Sequence, residues 1–328
     1  MIQKYFISLI KIIKFLLKKI GIVLISTNKE KLLYKQRDNA TKKIVEIFSS
    51  NYEKGIEGIV FSKDRAIQLY SLLESYLKFV INPCKLHILY NASNSEHLKT
   101  YKELEKIISK KTELIKFCLE ENTFKINLMD CISKVRSNNI FFLVDDILFL
   151  RSVDFDIVRG IDSSNYTLSL RLSPQLKRSY TARKKHQLPN FRKSTMDSQL
   201  LEFSWTESDL EWSNHWSVDG HIFSTAEIKA ISEISDFNGP NSYEGILNTF
   251  DTIIINRKGL CFEESIILNL PINRVQNEFK NFSGQLSTEM LLSLWNQGSK
   301  INIDKFENYI PESTHEEHEI EFTSRNVS

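Results

Sequence analysis

Glycine-rich phosphate loops are missing from this chain. Its 328 residues hold 10 glycines and 6 prolines, and neither G-x-G-x-x-G nor G-x-x-x-x-G-K-[ST] occurs. Without the backbone cradle those loops build for phosphates, a classical dinucleotide oxidoreductase and a P-loop nucleotidase are both disfavoured. Paired cysteines are missing too. Cys84, Cys118, Cys131 and Cys261 are scattered with no C-x-x-C spacing, which argues against a thiolate zinc site, a thioredoxin-type site or a disulfide framework. They fit reduced thiols in a cytosolic compartment. A surplus of one charge is also lacking: 43 Lys and Arg face 41 Asp and Glu, for a net of +2. A protein that coats nucleic acid needs a large basic excess, so no nucleic-acid partner is expected. What remains is ordinary globular composition, 41% hydrophobic and 26% charged. The length is about twice a domain of ~150 residues, so one large domain or two smaller ones is expected.

The first fifty residues differ from the rest. MIQKYFISLIKIIKFLLKKI at the N-terminus never reaches the ~18–20 uninterrupted apolar residues of a spanning helix, because Lys4, Lys11, Lys14, Lys18 and Lys19 break it. On a helical wheel those lysines, with Gln3 and Ser8, share one arc of about 160°. Ile2, Phe6, Leu9, Ile13, Leu16, Leu17 and Ile20 take the other side, with Ile7 and Phe15 slightly out of pattern. A basic face opposite a bulky apolar one suits a helix lying in an anionic membrane surface. The alternatives are a helix packed on the protein's own core and a signal peptide; the spread of lysines and the lack of a small-residue cleavage site speak against the latter. Residues 1–50 carry eleven Lys or Arg and three acids, a net of +8, leaving about −6 for the remainder. That asymmetry favours a membrane-associating segment over residues 1–50.

From residue 56 the pattern changes. Short apolar runs at Ile56–Phe61, Lys85–Tyr90, Thr112–Phe117 and Ile140–Val144 predict four strands, their centres roughly 27–29 residues apart. Between them Ala66–Val80, Ser95–Ser109 and Phe124–Arg136 have helical periodicity; Leu69, Leu72, Leu73, Tyr76 and Leu77 show it in the first. Strands alternating with helices predict βαβ units, hence an α/β fold with a mostly parallel sheet flanked by helices. Such sheets bind ligands at the C-terminal ends of their strands. There lie Ser62-Lys63-Asp64-Arg65, Asn91-Ala92-Ser93-Asn94-Ser95 and Asp145-Asp146. Two carboxylates at a strand end can hold Mg²⁺ or Mn²⁺, and the metal can neutralise a diphosphate.

FSKDRAIQL after the first strand, LYNAS after the second and FFLVDDILF at the fourth resemble nucleotide-sugar glycosyltransferases of the GT-A fold, a Rossmann-like architecture. Blocks downstream continue the resemblance, now to bacterial transferases of surface-polysaccharide synthesis: Ser169–Leu172, Trp216–Phe223, Pro240–Glu244 and Pro271–Gln276. The resemblance covers roughly residues 55–305. It puts Asp145-Asp146 at the family's D-x-D-type metal motif, here without the first carboxylate. It implies a divalent cation, Mn²⁺ or Mg²⁺, at Asp145 and Asp146, with Asp146 the direct ligand and one aspartate free to meet the ribose. It implies a nucleotide-sugar site drawing on Ser62, Asp64, Arg65, Asn91, Asp145, Arg171 and His221. Asp64 would meet the base or ribose and Arg65 the diphosphate.

Each candidate has a plainer alternative. The aspartate pair could be a solvated turn, although adjacent carboxylates repel one another and gain nothing without a cation. Asp64 could cap a helix. Asp219 and Glu244 are the candidate bases for deprotonating an acceptor hydroxyl in an inverting transfer, or else a cap and a salt bridge. His221 is a hydrogen-bonding neighbour or a distal histidine on the metal or diphosphate. Residues 163–196 hold no acid but contain Arg171, Lys177, Arg178, Arg183, Lys184, Lys185, Arg192 and Lys193; residues 197–211 hold five acids and no base. The two halves form either a self-pairing insertion or a lid over an anionic substrate. Trp205, Trp212 and Trp216 are sugar platforms or core. His315 and His318, spaced by three, do not make H-E-x-x-H, and residues 306–328 look like a loosely ordered acidic tail.

The expectation is thus a glycosyltransferase moving a sugar from a nucleotide diphosphate sugar to a glycan or lipid-linked acceptor in cell-surface polysaccharide synthesis. It would sit in the cytoplasm, peripheral on the inner face of the membrane through residues 1–20. The rivals are a non-catalytic membrane-bound scaffold of the same fold and a sugar nucleotidyltransferase, which would need a glycine-rich loop after the first strand.

Overall fold

The computed structural model describes residues 27–49, 51–273 and 286–325. The amphipathic segment 1–20 lies outside them. Four parallel strands form the centre: β1 (Glu53–Lys63), β2 (Lys85–Asn91), β3 (Ile115–Leu119) and β4 (Ser137–Val144). Their order in the sheet is β4-β1-β2-β3, and Ile222–Ser224 adds antiparallel to the outer edge of β4. The strands expected from the apolar runs are all present. The third is shifted toward the C-terminus, because Thr112 sits in the turn that ends the preceding helix. Its backbone N–H reaches Ile108 O and its Oγ1 accepts from Leu114 N.

Alternation explains why these runs are apolar throughout. Val60, Leu86, Ile88, Phe141 and Leu143 pack on one face with helices α2 (Ala66–Phe79) and α3 (Ser95–Ser109). Ile59, Phe61, Leu89, Ile140 and Phe142 pack on the other with α4 (Phe124–Lys134), α5 (Thr225–Ile234) and α6 (Pro240–Leu247). A sheet covered on both faces has no polar side to show. The helices start where local chemistry starts them. Asn94 accepts from the Glu96 and His97 backbone N–H groups at the head of α3, and Thr123 accepts from Ile126 N at the head of α4.

A second sheet of four short strands, Arg192–Lys193, Leu200–Ser204, Lys258–Phe262 and Tyr166–Ser169, stands beside the first. It carries the third apolar cluster, which includes Trp205 and Trp212; Trp216 joins the second cluster. All three indoles are fully buried, so the tryptophans are core rather than sugar platforms. The acid-poor and acid-rich halves of the insertion partly pair: Arg192 meets Glu202 and His186 faces Glu211. Of the N-terminal segment, Thr27–Ser49 is helix α1. It docks through Arg37, whose Nη1 donates to Thr249 Oγ1 at 3.0 Å and whose guanidinium stacks on Phe250, and through buried Asp38, which accepts from Thr252. Among the described residues no helix is long and apolar enough to cross a membrane.

The C-terminal stretch differs from the expected loose tail. Glu316 is buried and accepts from the Tyr309 hydroxyl and from the backbone of Glu312 and Ser313, which ties the segment into a turn. The backbone then pairs with Ile267–Asn269: Asn269 N donates to Thr314 O, and Glu316 N donates to Asn269 O. Acidic composition hid a segment in which Glu316 is bonded internally while Glu312 and Glu321 pair with Lys177 and Lys305 of the body.

Gly58 marks how tightly the central strands pack. A Cβ there would lie 2.5 Å from the Phe141 ring and 2.6 Å from a Leu86 methyl. Gly58→Ala is therefore expected to cost roughly 1–3 kcal/mol, read as a lower urea midpoint at unchanged slope. An unchanged midpoint would mean the sheet has slack at this point.

Candidate active site

The C-terminal ends of β1, β2, β3 and β4 open into a cavity of about 730 Å³, within the usual range for small-molecule sites. Of the predicted residues, Ser62, Arg65, Asn91, Asp145, Asp146, Arg171, Asp219 and Glu244 line it. Asp64 and His221 do not.

Asp145 follows the last residue of β4, and its N–H donates to Phe61 O across the ladder. Its carboxylate is buried and fully engaged. Oδ1 accepts from Arg65 Nη1 at 3.0 Å; Oδ2 accepts from Ser62 Oγ at 2.8 Å and Lys63 N at 3.2 Å. Ser62 Oγ lies 2.6 Å from the Tyr101 hydroxyl of α3, which also accepts from Arg65 N. Arg65 Nη1 reaches Asp146 Oδ2 at 3.3 Å, and its Nη2 donates to the Asn273 carbonyl. Burial works to discharge the guanidinium, but Asp145 and Asp146 outweigh it and hold Arg65 charged.

The second half of the chain supplies the opposite wall. Asp219 accepts from Arg171 Nη1 at 3.0 Å. The turn after it needs Gly220, whose φ of +78° lies in the left-handed region and whose N–H donates to Phe142 O. Asn269 Nδ2 stands 3.5 Å from Asp146 Oδ1 and 3.4 Å from Asp219 Oδ2. His315 Nε2 is 3.6 Å from Asp219 Oδ2. Glu244, near the start of α6, has only a long 3.5 Å contact from Asn214 and a hydrogen bond from Ser217.

These surroundings set the charges. Burial, then the negative charges of Asp145 and Asp219, push Asp146 up to about 7 against the pull of Arg65. Burial and then Asp219 push Glu244 up to about 7. Burial raises Asp145 as well and lowers His315.

Two predicted residues take other roles. Asp64, at φ +55°, turns its carboxylate to the Ser93 backbone N–H and hydroxyl, at 2.7 and 2.6 Å, and so clamps the loop after β2. His221 is completely buried against Trp205 and places Nδ1 3.1 Å from His215 O. Burial holds it well below its ordinary pKa, so it is a neutral packing residue. Sequence reasoning missed Asn269, Tyr180, Glu120 and His315 as cavity residues. Only His315 had stood out, and its acidic neighbours disguised it.

The donor set admits a divalent cation in one form. Among the described residues no three His, Cys, Asp or Glu side chains converge at ligand spacing. Asp145 is spent on its partners. Asp146 keeps long, weak contacts, and the buried Asn269 Oδ1 and Asn273 Oδ1 have no hydrogen-bond partner. One carboxylate with amide oxygens, completed by substrate phosphates, suits Mg²⁺ or Mn²⁺.

No protein-family model matches the chain. An alignment 293 positions long, which covers 77% of the chain, is 23% identical to the bifunctional glycosyltransferase pgtA of Dictyostelium discoideum, and the chain spans 37% of that protein's length. Solved structures that align with part of the chain include S. aureus TarS in complex with UDP-GlcNAc, at 14% identity and a TM-score of 0.43 over 65% of this chain and 57% of that one. Another is the 4-diphosphocytidyl-2C-methyl-D-erythritol synthase of Anaerococcus prevotii, at 12% identity and a TM-score of 0.39 over 65% and 89%.

Arg65 is the compensating charge for a buried carboxylate. Arg65→Met should cost roughly 3–5 kcal/mol in urea unfolding, and adding Asp145→Asn should recover part of that loss. A single variant within about 1 kcal/mol of wild type, the scale of a surface pair, would show that the pair is not structural.

Proposed function

We propose that this chain is a glycosyltransferase that takes its sugar from a nucleoside diphosphate sugar. The observation that carries the reading is the cavity at the sheet's C-terminal edge. It sets two buried arginines and an under-coordinated aspartate beside a carboxyl of raised pKa. The partial likeness to pgtA supports it.

Arg65 and Arg171 supply positive charge toward a leaving diphosphate; buried guanidiniums are strong, preorganised partners for developing negative charge. Asp145 keeps Arg65 in place. Asp219 does the same for Arg171 and is committed to that pair. Glu244 lacks a cationic partner within bonding distance and is the base we assign, deprotonating the acceptor hydroxyl in an inverting transfer. A Mn²⁺ or Mg²⁺ ion would be held by Asp146, with Asn269 and Asn273 oxygens at hand, and would supply Lewis-acid neutralisation of the diphosphate. The charge count supports such an ion: six carboxyls, Glu120, Asp145, Asp146, Glu211, Asp219 and Glu244, line the cavity with three basic side chains, Lys63, Arg65 and Arg171. An anionic donor added to that surplus needs a counter-charge.

The acceptor is proposed to be a glycan or a lipid-linked glycan of cell-surface polysaccharide synthesis. Residues 1–20 would hold the enzyme peripherally at the inner membrane face. The basic amphipathic pattern of that segment supports this.

Thermal-shift measurements with nucleoside diphosphates, with and without Mn²⁺, test the donor site. A nucleotide that binds the native state must raise its apparent stability. A Mn²⁺-dependent shift lost in Asp146→Ala is expected; no shift with any nucleotide would leave the scaffold reading instead. Glu244→Gln should keep the shift and lose about 100-fold or more in transfer rate. The base works as its carboxylate, which forms as pH rises through about 7. Wild-type kcat/KM should therefore climb from pH 6 to about 7 and level off above it. A flat profile, or a fully active Glu244→Gln, would remove Glu244 from the mechanism.

A further inference from the structure

The cavity has a second end that the proposed chemistry does not use. Lys63, Asn91 and Glu120 stand at the C-terminal ends of three neighbouring strands. Lys63 pairs in register with Asn91, Tyr90 pairs with Leu119, and Glu120 N donates to Tyr90 O. The three thus form a row across β1, β2 and β3, with strands roughly 4.8 Å apart. By alternation they share a face with Phe61 and Leu89, the face against which Phe124 of α4 packs. All six residues line the cavity. The result is a slot with an apolar floor of Phe61, Leu89 and Phe124 and a polar rim of one cation, one amide and one carboxylate.

Among the described residues none of the three rim side chains is engaged in a hydrogen bond or ion pair within bonding distance. Glu120 feels Lys63 electrostatically, which draws its pKa down against the larger effect of burial, so the two charges are neighbours along one edge. Asn91 and Glu120 are half-buried and Lys63 is exposed at the mouth; polar groups that face a cavity without protein partners are free to meet a ligand. An apolar floor and a polar edge fit a planar heterocycle that stacks on one side and is read along its rim.

We infer that this row reads the base of the donor nucleotide and that the base it fits is guanine. The inference rests on the transferase reading and goes further by naming the nucleotide. Guanine alone among the common bases presents two adjacent donors, N1–H and the 2-amino group, which a carboxylate can accept together, beside an acceptor, O6, for a cation. Uracil presents a single N–H between two carbonyls, so a carboxylate that accepts from it also faces a repelling oxygen. Cytosine and adenine offer an amino group followed by an acceptor nitrogen, again one donor for two oxygens. Glu120 takes the guanine donors, Lys63 takes O6, and Asn91, with both donor and acceptor, sits between them. The donor is accordingly a guanosine diphosphate sugar.

Isothermal titration of the full chain with GDP, UDP, CDP and ADP, with Mn²⁺ throughout, tests this. GDP is expected to bind at least about tenfold tighter than the others, the scale of one hydrogen bond to a charged group. Inosine diphosphate, which lacks the 2-amino group, should lose about tenfold against GDP on the wild-type protein, a comparison that needs no variant. Glu120→Gln should weaken GDP by about 10–100-fold and leave UDP within about twofold. Tight UDP or CDP binding with weak GDP binding overturns the base assignment and leaves the transferase reading standing. An unchanged GDP-to-UDP ratio in Glu120→Gln overturns it as well. Binding of no nucleotide at all overturns both.

Discussion

The ion pair between Arg65 and Asp145 is the constraint on which the cavity depends. It joins the residue just before α2 to the residue just after β4, two elements that meet only because β1 and β4 are parallel neighbours. Ser62, Lys63 N and Tyr101 complete its coordination, so β1, β4 and α3 are tied at one point. A buried charge without such partners would cost several kcal/mol, of order 3–5. Given the pair, Asp145 cannot leave the strand end, and Asp146, the next residue, is carried into the cavity with its oxygens only loosely held. One aspartate anchors so that the other can be used.

The charge pattern around that anchor is unbalanced, and the imbalance has a direction. Arg65 is shared between Asp145 at 3.0 Å and Asp146 at 3.3 Å, and Arg171 is held by Asp219. Asp146 has only a share of Arg65 and Glu244 has no cation within bonding distance, and both are pushed toward neutrality near pH 7 by burial and by neighbouring acids. A site built only for stability would not keep two surplus carboxyls in a cleft, since their repulsion lowers the stability of the folded chain. Perturbed groups that share a cavity and are at most partly paired are where chemistry is expected.

Much of the frame was legible in the sequence. The four apolar runs became the parallel strands, and the polar residues after three of them reached the cavity edge. Period-2 burial on both faces leaves a plain signature of this kind. Misjudged residues shared a physical cause. Asp64 lies at the cavity edge in sequence, but a positive φ turns its side chain sideways onto Ser93. His221 sits two residues from Asp219 on a stretch that becomes strand, so its ring points into the core beside Trp205. Periodicity cannot assign a face where the strand is only three residues long. Asn269 and His315 were hidden for another reason. They meet Asp219 through pairing between Ile267–Asn269 and the C-terminal segment, a contact between remote parts of the chain that no local pattern encodes.

The two ends of the cavity differ in how they are built. The end bearing Lys63, Asn91 and Glu120 is a row of adjacent strand termini, whose spacing is set by the sheet's hydrogen bonds. The end bearing Arg171, Asp219, Glu244, Asn269 and His315 is assembled from turns, a helix start and a short edge pairing, each from a different part of the chain's second half. Sheet edges give fixed positions suited to reading a rigid, planar group. Convergent loops give side chains whose placement can shift without disturbing the core. Between them, Arg65 and Asp146 stand at the junction, bound to the first end by backbone and reaching the second through Asn273 and Asn269. A ligand with a rigid ring at one end, a charged linkage in the middle and a reacting group at the other would match that division of labour part for part.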